Sequence, residues 1–209
     1  MRTTLPLVKI CGMTRAEDVL GCAEAGADLL GFIFAAKSPR RVTPEQAAAL
    51  PRTTARRVGV FVEHSLDEVL AIMEAAELDF AQLHGNQDPE FCRAVGPDRV
   101  LRAFWPKKHP DLASLAAEVE RFSGAIRYAL LDAGTSGGGH GVALDFAPLA
   151  DFSPSMPWLL AGGLGPDNVA EALRLAAPHG LDLNSGVESS PGLKELEKVR
   201  RSLWAVKGR

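Results

Sequence analysis

Eight short runs rich in Val, Ile, Leu and Phe recur along the chain at a near-constant step. They are LVKIC (7–11), LLGFIF (29–34), VGVFV (58–62), FAQLH (80–84), VLRAF (100–104), YALLD (128–132), WLLAG (158–162) and LDLNS (181–185). Their starts lie 22, 29, 22, 20, 28, 30 and 23 residues apart, which leaves room for one helix after each run. Continuous apolar runs of this length suit strands buried on both faces, and strands separated by helical crossovers are parallel. The intervening stretches, such as AEDVLGCAEAGA (16–27) and NVAEALRLAA (168–177), set small and apolar residues on one helical face and charges on the other. Thr14 with Glu17, Thr43 with Pro44 and Gln46, and Ser65 with Glu68 each read as a hydroxyl cap with its partner three residues on.

Eight such units in 209 residues predict a (β/α)8 barrel, a single α/β domain over 1–209 at the small end of that architecture. An open, doubly wound sheet of eight strands is the competing arrangement. No linker interrupts the alternation, and only GTSGGGHG (134–141) is long and glycine-rich enough to read as a mobile loop. In either fold, chemistry belongs at the C-terminal ends of the strands.

Composition narrows the partners. With 23 Lys+Arg against 26 Asp+Glu the net charge is −3, too small and too mixed for an electrostatic footprint on nucleic acid or an anionic membrane. Neither a signal-type segment nor a bilayer-length apolar run occurs, so the expected compartment is the cytoplasm. Cys11, Cys22 and Cys92 have no CxxC spacing, which argues against a disulfide framework and against a zinc site. The partner expected is a small molecule; a homodimer is compatible with the sequence.

Period-2 geometry puts Lys9 with Cys11, Gln82 with His84, and Leu130 with Asp132 on common strand faces. If those faces point inward, Cys11, His84 and Asp132 meet around the barrel mouth, where a thiol and a carboxyl can act as base and acid on a substrate between them. The bland alternatives are a buried small thiol for Cys11, a turn cap for Asp132 and a turn residue for His84. Cys22 and Cys92 fall in helical stretches and read as buried thiols. Lys9 and Asp182, inward by parity on neighbouring strands of a closed barrel, are expected to pair, because a lone charge there would be untenable. Arg40 offers a planar fork for a carboxylate. AGGLGPDN (161–168) and NSGVESSPG (184–192) follow strands 7 and 8, where glycines can turn backbone N–H groups toward a phosphate. Two tight turns are the plain alternative.

KICGMT (9–14), GADLLGFIFAAKSPRRV (26–42), VGVFV (58–62), QLHG (82–85), LLDAG (130–134), LAGGLGPDNV (160–169) and NSGVESSPGLK (184–194) occur in that order from end to end. Together they resemble the phosphoribosylanthranilate isomerases of tryptophan biosynthesis. The resemblance implies a cofactor-free and metal-free Amadori rearrangement, an aldose–ketose isomerisation. Its substrate would be N-(5-phosphoribosyl)anthranilate and its product 1-(2-carboxyphenylamino)-1-deoxyribulose 5-phosphate. It implies Cys11 as general base, Asp132 as general acid, and Arg40 on the anthranilate carboxylate. Gln82 and His84 become substrate-binding candidates, and Gly162, Gly163, Ser185 and Gly186 phosphate-binding ones. Arg41 stands where the family pattern has an aromatic residue, Asn184 where it has Ser, and His140 lies in the glycine-rich loop. The nearest rival enzyme is the histidine-pathway sugar-phosphate isomerase, which resembles an internally duplicated chain with two catalytic aspartates; strand 1 here ends in Cys11 instead. A phosphate-ligand binding barrel without turnover is the rival from another class.

Overall fold

A computed structural model describes residues 5–132 and 146–208. Its eight parallel strands are β1 (Leu7–Cys11), β2 (Leu29–Ile33), β3 (Arg56–Phe61), β4 (Phe80–Leu83), β5 (Val100–Phe104), β6 (Tyr128–Asp132), β7 (Trp158–Ala161) and β8 (Gly180–Leu183). They pair in sequence order, and β8 pairs back onto β1, so the sheet closes. Each lies on its apolar run with ends displaced by no more than two residues. Helices α1 (Ala16–Glu24), α2 (Pro44–Ala49), α3 (Leu66–Ala75), α4 (Pro89–Val95), α5 (Leu112–Glu120), α6 (Val169–Ala176) and α7 (Leu196–Lys207) pack outside. A small hairpin of β9 (Glu188–Ser190) and β10 (Leu193–Lys194) follows β8. None of the described helices is long and apolar enough to cross a membrane.

Local chemistry explains most of the register, and two departures from it. Thr43 and Ser65 form the expected capping boxes at α2 and α3, each hydroxyl accepting from the backbone N–H three residues on. Thr14 does not cap α1. Its hydroxyl donates instead to the Gly192 carbonyl at 2.6 Å, and α1 begins at Ala16 without a side-chain cap. The other departure follows β6, where the described residues hold a 3₁₀ turn over Ala147–Leu149 rather than an α-helix. Pro148, Pro154 and Pro157 remove backbone donors across that stretch and break any longer helix. The glycine-rich segment 134–141, with His140, lies outside the described residues.

Two apolar regions result. Between the sheet and the helices sits the larger core. Inside the barrel, alternate residues of successive strands form a stacked cluster that includes Leu29, Val58, Phe80, Leu101, Leu130 and Leu159. Above it, Cys11, Ile33 and Val60 form a small cluster of their own. The expected charged pair breaks the apolar filling: Lys9 Nζ donates to both Asp182 oxygens at 2.8 and 2.9 Å, across the register pair that closes the barrel.

Lys9 is wholly buried, so its removal strands a carboxylate in the interior. Lys9→Met is expected to destabilise the fold by about 3–5 kcal/mol in urea unfolding, and Lys9→Met combined with Asp182→Leu to recover most of that loss. Equal losses in both variants would contradict the pairing.

Candidate active site

Cys11 ends β1 and Asp132 ends β6, both with buried side chains on the inward face. Two glycines make the room around the thiol. At Gly31, directly beside Cys11 in the β1–β2 register, an added Cβ would lie 2.7 Å from Cys11 Sγ and 3.1 Å from Lys9 Nζ. At Gly12, where φ is +82°, it would meet Asn184 Oδ1 at 2.8 Å and Arg40 Cδ at 2.9 Å. Any larger residue at either position would displace a polar group of the mouth.

Asp132 is held from β4. His84 Nε2 lies 3.3 Å from Asp132 Oδ2, and His84 Nδ1 lies 3.3 Å from Gln82 Nε2. An amide NH₂ can only donate, so with this amide orientation Nδ1 accepts and the ring proton sits on Nε2, facing the carboxylate. Trp105 meets the His84 ring edge-on at 5.2 Å, and Lys108 Nζ sits 3.8 Å from the Trp105 ring centre.

One cavity of ≈ 680 Å³ is lined by Cys11, Arg40, Gln82, His84, Asp132, Gly162, Gly163 and Ser185. All the sequence candidates but one therefore share a wall. Gly186 packs behind it, where a Cβ would come within 2.2 Å of the Leu164 carbonyl oxygen; its hydrogen side chain lets the loops after β7 and β8 touch. Gly162 and Gly163 hold φ of +106° and +65°, a backbone that L side chains resist.

Three charged groups escaped the sequence reading or changed their part in it. Arg40, in the loop after β2, is buried, with Nε and Nη2 donating to Glu188 at 2.9 and 2.7 Å. Glu188 also accepts from Lys194 Nζ at 2.8 Å and from the Gly192 N–H at 3.1 Å. Lys194 Nζ donates in turn to Asn184 Oδ1 at 2.9 Å. The SGVESSPGLK stretch carried these residues as part of a motif, but an acid and a lysine among small residues do not announce a partner 148 positions away.

Burial and charge oppose one another throughout the mouth. Burial pushes the Cys11 thiol up; Lys9 and Lys194 pull it down, Asp182 pushes it further, and the net direction is upward. The bidentate contact with Asp182 overcomes burial at Lys9 and holds its ammonium above the usual range. At Glu188 the bonds from Arg40 and Lys194 outweigh burial and hold the carboxyl below its usual range. Cys22 and Cys92, buried inside α1 and α4, are pushed up to about 12 and about 11, which leaves them inert thiols. Among the described residues, no group of three His, Cys, Asp or Glu side chains could hold a metal ion.

Residues 8–204 match the N-(5'phosphoribosyl)anthranilate (PRA) isomerase family. The chain belongs to this family. It is 48% identical to the N-(5'-phosphoribosyl)anthranilate isomerase of Maridesulfovibrio salexigens over 96% of this chain and 98% of that one. A crystal structure of monomers generated from the dimeric phosphoribosylanthranilate isomerase of Thermotoga maritima superposes with a TM-score of 0.84 at 31% identity, covering 98% of this chain and 100% of that one. Another, of a phosphoribosylanthranilate isomerase in complex with reduced 1-(o-carboxyphenylamino)-1-deoxyribulose 5-phosphate, superposes with a TM-score of 0.80 at 32% identity and the same coverage. Within this phosphoribosylanthranilate isomerase fold, Asn184 spends its side-chain oxygen on Lys194, and Arg41 joins the cavity wall.

The Glu188 clamp carries a pH signature. Because its folded-state pKa is depressed, its stabilisation is present above the ordinary value of 4.5 and lost as pH falls through the folded value. Glu188→Gln is expected to lower unfolding stability by about 3–5 kcal/mol near neutrality, with the gap to the parent protein closing below about pH 4.5. A gap independent of pH would contradict the clamp.

Proposed function

We propose that the chain isomerises N-(5-phosphoribosyl)anthranilate to 1-(2-carboxyphenylamino)-1-deoxyribulose 5-phosphate, with Asp132 as general acid and Cys11 as general base. The carrying observation is the thiol and the carboxyl on opposed strands of one cavity, whose walls also hold an arginine and a glycine-lined backbone. Family membership and the relatives' names support the same reaction.

The steps balance without an outside redox partner. Asp132 gives a proton to the furanose ring oxygen as the C1–O bond breaks, and the anthranilate nitrogen's lone pair forms an iminium at C1. The Cys11 thiolate takes the C2 proton, and the released electron pair neutralises the iminium to an enolamine. Loss of the C2 hydroxyl proton and gain of one at C1 give the ketone. Cys11 is then protonated and Asp132 charged, so one proton returns from thiol to carboxylate through solvent to complete the cycle.

The surroundings suit those roles. Nε and Nη2 of Arg40 meet Glu188, which fixes the guanidinium plane for a carboxylate on its remaining edge. Gly162, Gly163 and Ser185 take the phosphate through backbone N–H groups, and Gly186 contributes by letting the two loops approach. Gln82 and His84 bind the open sugar and orient Asp132. The whole chain acts as one barrel domain, in the cytoplasm where small phosphorylated intermediates are handled. A homodimer is the assembly suggested by the dimeric relative.

Mixing the protein with phosphoribosylanthranilate and following the decay of anthranilate-type fluorescence tests the reading directly. Cys11→Ser and Asp132→Asn should each keep the fold by circular dichroism and lose at least about 10²-fold to 10⁴-fold in turnover. Retained activity in either would overturn the assignment, and binding without turnover by the parent protein would favour a ligand-binding barrel.

A further inference from the structure

We propose that Lys9 is the positioning residue that supplies the counter-charge of the Cys11 thiolate, and that Asp182 sets how much of that charge reaches the sulfur. The inference rests on Cys11 being the general base and asks what makes a buried thiol able to serve.

Lys9 is one inward position below Cys11 on β1, and no part of its side chain reaches solvent. An ammonium carries three N–H donors, and Asp182 accepts two of them. The third must be answered inside the barrel. Glycine at position 31 leaves a hollow on the neighbouring strand, and the point its missing Cβ would fill lies within 2.7 Å of Cys11 Sγ and 3.1 Å of Lys9 Nζ. Sulfur and ammonium thus both border the space that a side chain at position 31 would fill. For stability alone an apolar pair would serve that position at least as well as buried charges; the particular consequence of having Lys9 there is a cation under the sulfur.

The other charges facing the thiol do not replace it. Lys194, from β10, acts on Cys11 but is bonded to Glu188 at 2.8 Å, which Arg40 also contacts. Asp182, from β8, opposes thiolate formation while holding Lys9 in place. Asp132 and His84, across the mouth, act on Asp182. The balance at the sulfur therefore turns on the Lys9–Asp182 pair, and its two halves should push in opposite directions.

The test is the pH titration of the thiolate by ultraviolet absorbance, taken as the difference from Cys11→Ser. Burial pushes Cys22 and Cys92 up to about 12 and about 11, and subtracting the Cys11→Ser curve removes their absorbance. Lys9→Gln with Asp182→Asn replaces the ions by a neutral amide pair of similar size that leaves no unpaired charge. It should reduce the thiolate fraction on the rising limb at least tenfold, with kcat falling in parallel, little change in KM, and recovery of kcat as pH is raised. Asp182→Asn alone leaves Lys9 opposed by nothing but the thiolate and should shift the titration the other way, with at least tenfold more thiolate at a given pH. An unchanged titration in the double variant, or shifts of the same sign in both, would overturn the role given to Lys9. Turnover retained by Cys11→Ser would instead overturn the assignment of the base, so the two failures are distinguishable.

Discussion

A closed parallel barrel denies water to the side chains packed inside it below the mouth, so a polar group placed there must be answered by another. In this chain the answer is the Lys9–Asp182 ion pair, formed across the seam where the last strand meets the first. It does two things at once. It is compatible only with the closed register, because an open sheet would leave β1 and β8 on opposite edges and two charges stranded. It also puts charge into the layer under the mouth, where the apolar filling ends and the chemistry begins.

From that layer upward the site is built of answered charges. Cys11 sits on Lys9 across the space left by Gly31; Asp132 faces His84, whose ring is oriented by Gln82; Arg40 and Lys194 share Glu188. Each functional side chain is thereby held by a neighbour whose own geometry is fixed by a strand or by the hairpin after β8. This matters for proton transfer, which depends steeply on the placement of acid and base relative to the reacting atoms. The barrel's rigidity is what brings two residues 121 positions apart, Cys11 and Asp132, to the wall of one cavity.

How much of this was legible before the fold was known follows from the range of each interaction. The strands were legible because a sheet covered on both faces demands continuous apolar runs, and the inward set followed from period 2 once those runs were aligned. Lys9 and Asp182 were legible as a pair by the same parity. The caps at Thr43 and Ser65 involve partners three residues away and could be read off; Thr14 has the same local signature, but its hydroxyl is claimed by Gly192, 178 residues on. The clamp of Arg40, Glu188 and Lys194 and the ring contact of Trp105 with His84 are tertiary contacts between loops, and no local pattern encodes them. Gly31 carries no local signal within the apolar run of β2; only the neighbouring thiol and ammonium give it a meaning.

The claim on which the account stands is that thiol and carboxyl flank the same bound sugar. A crystal structure of this chain with the reduced product analogue tests it most directly. Cys11 Sγ is expected within about 3.5 Å of C2 of the ligand, and an Asp132 oxygen within about 2.6–3.2 Å of the C4 hydroxyl, the former ring oxygen. An analogue bound with its phosphate on the glycine loops but with either group out of reach of these atoms would contradict it.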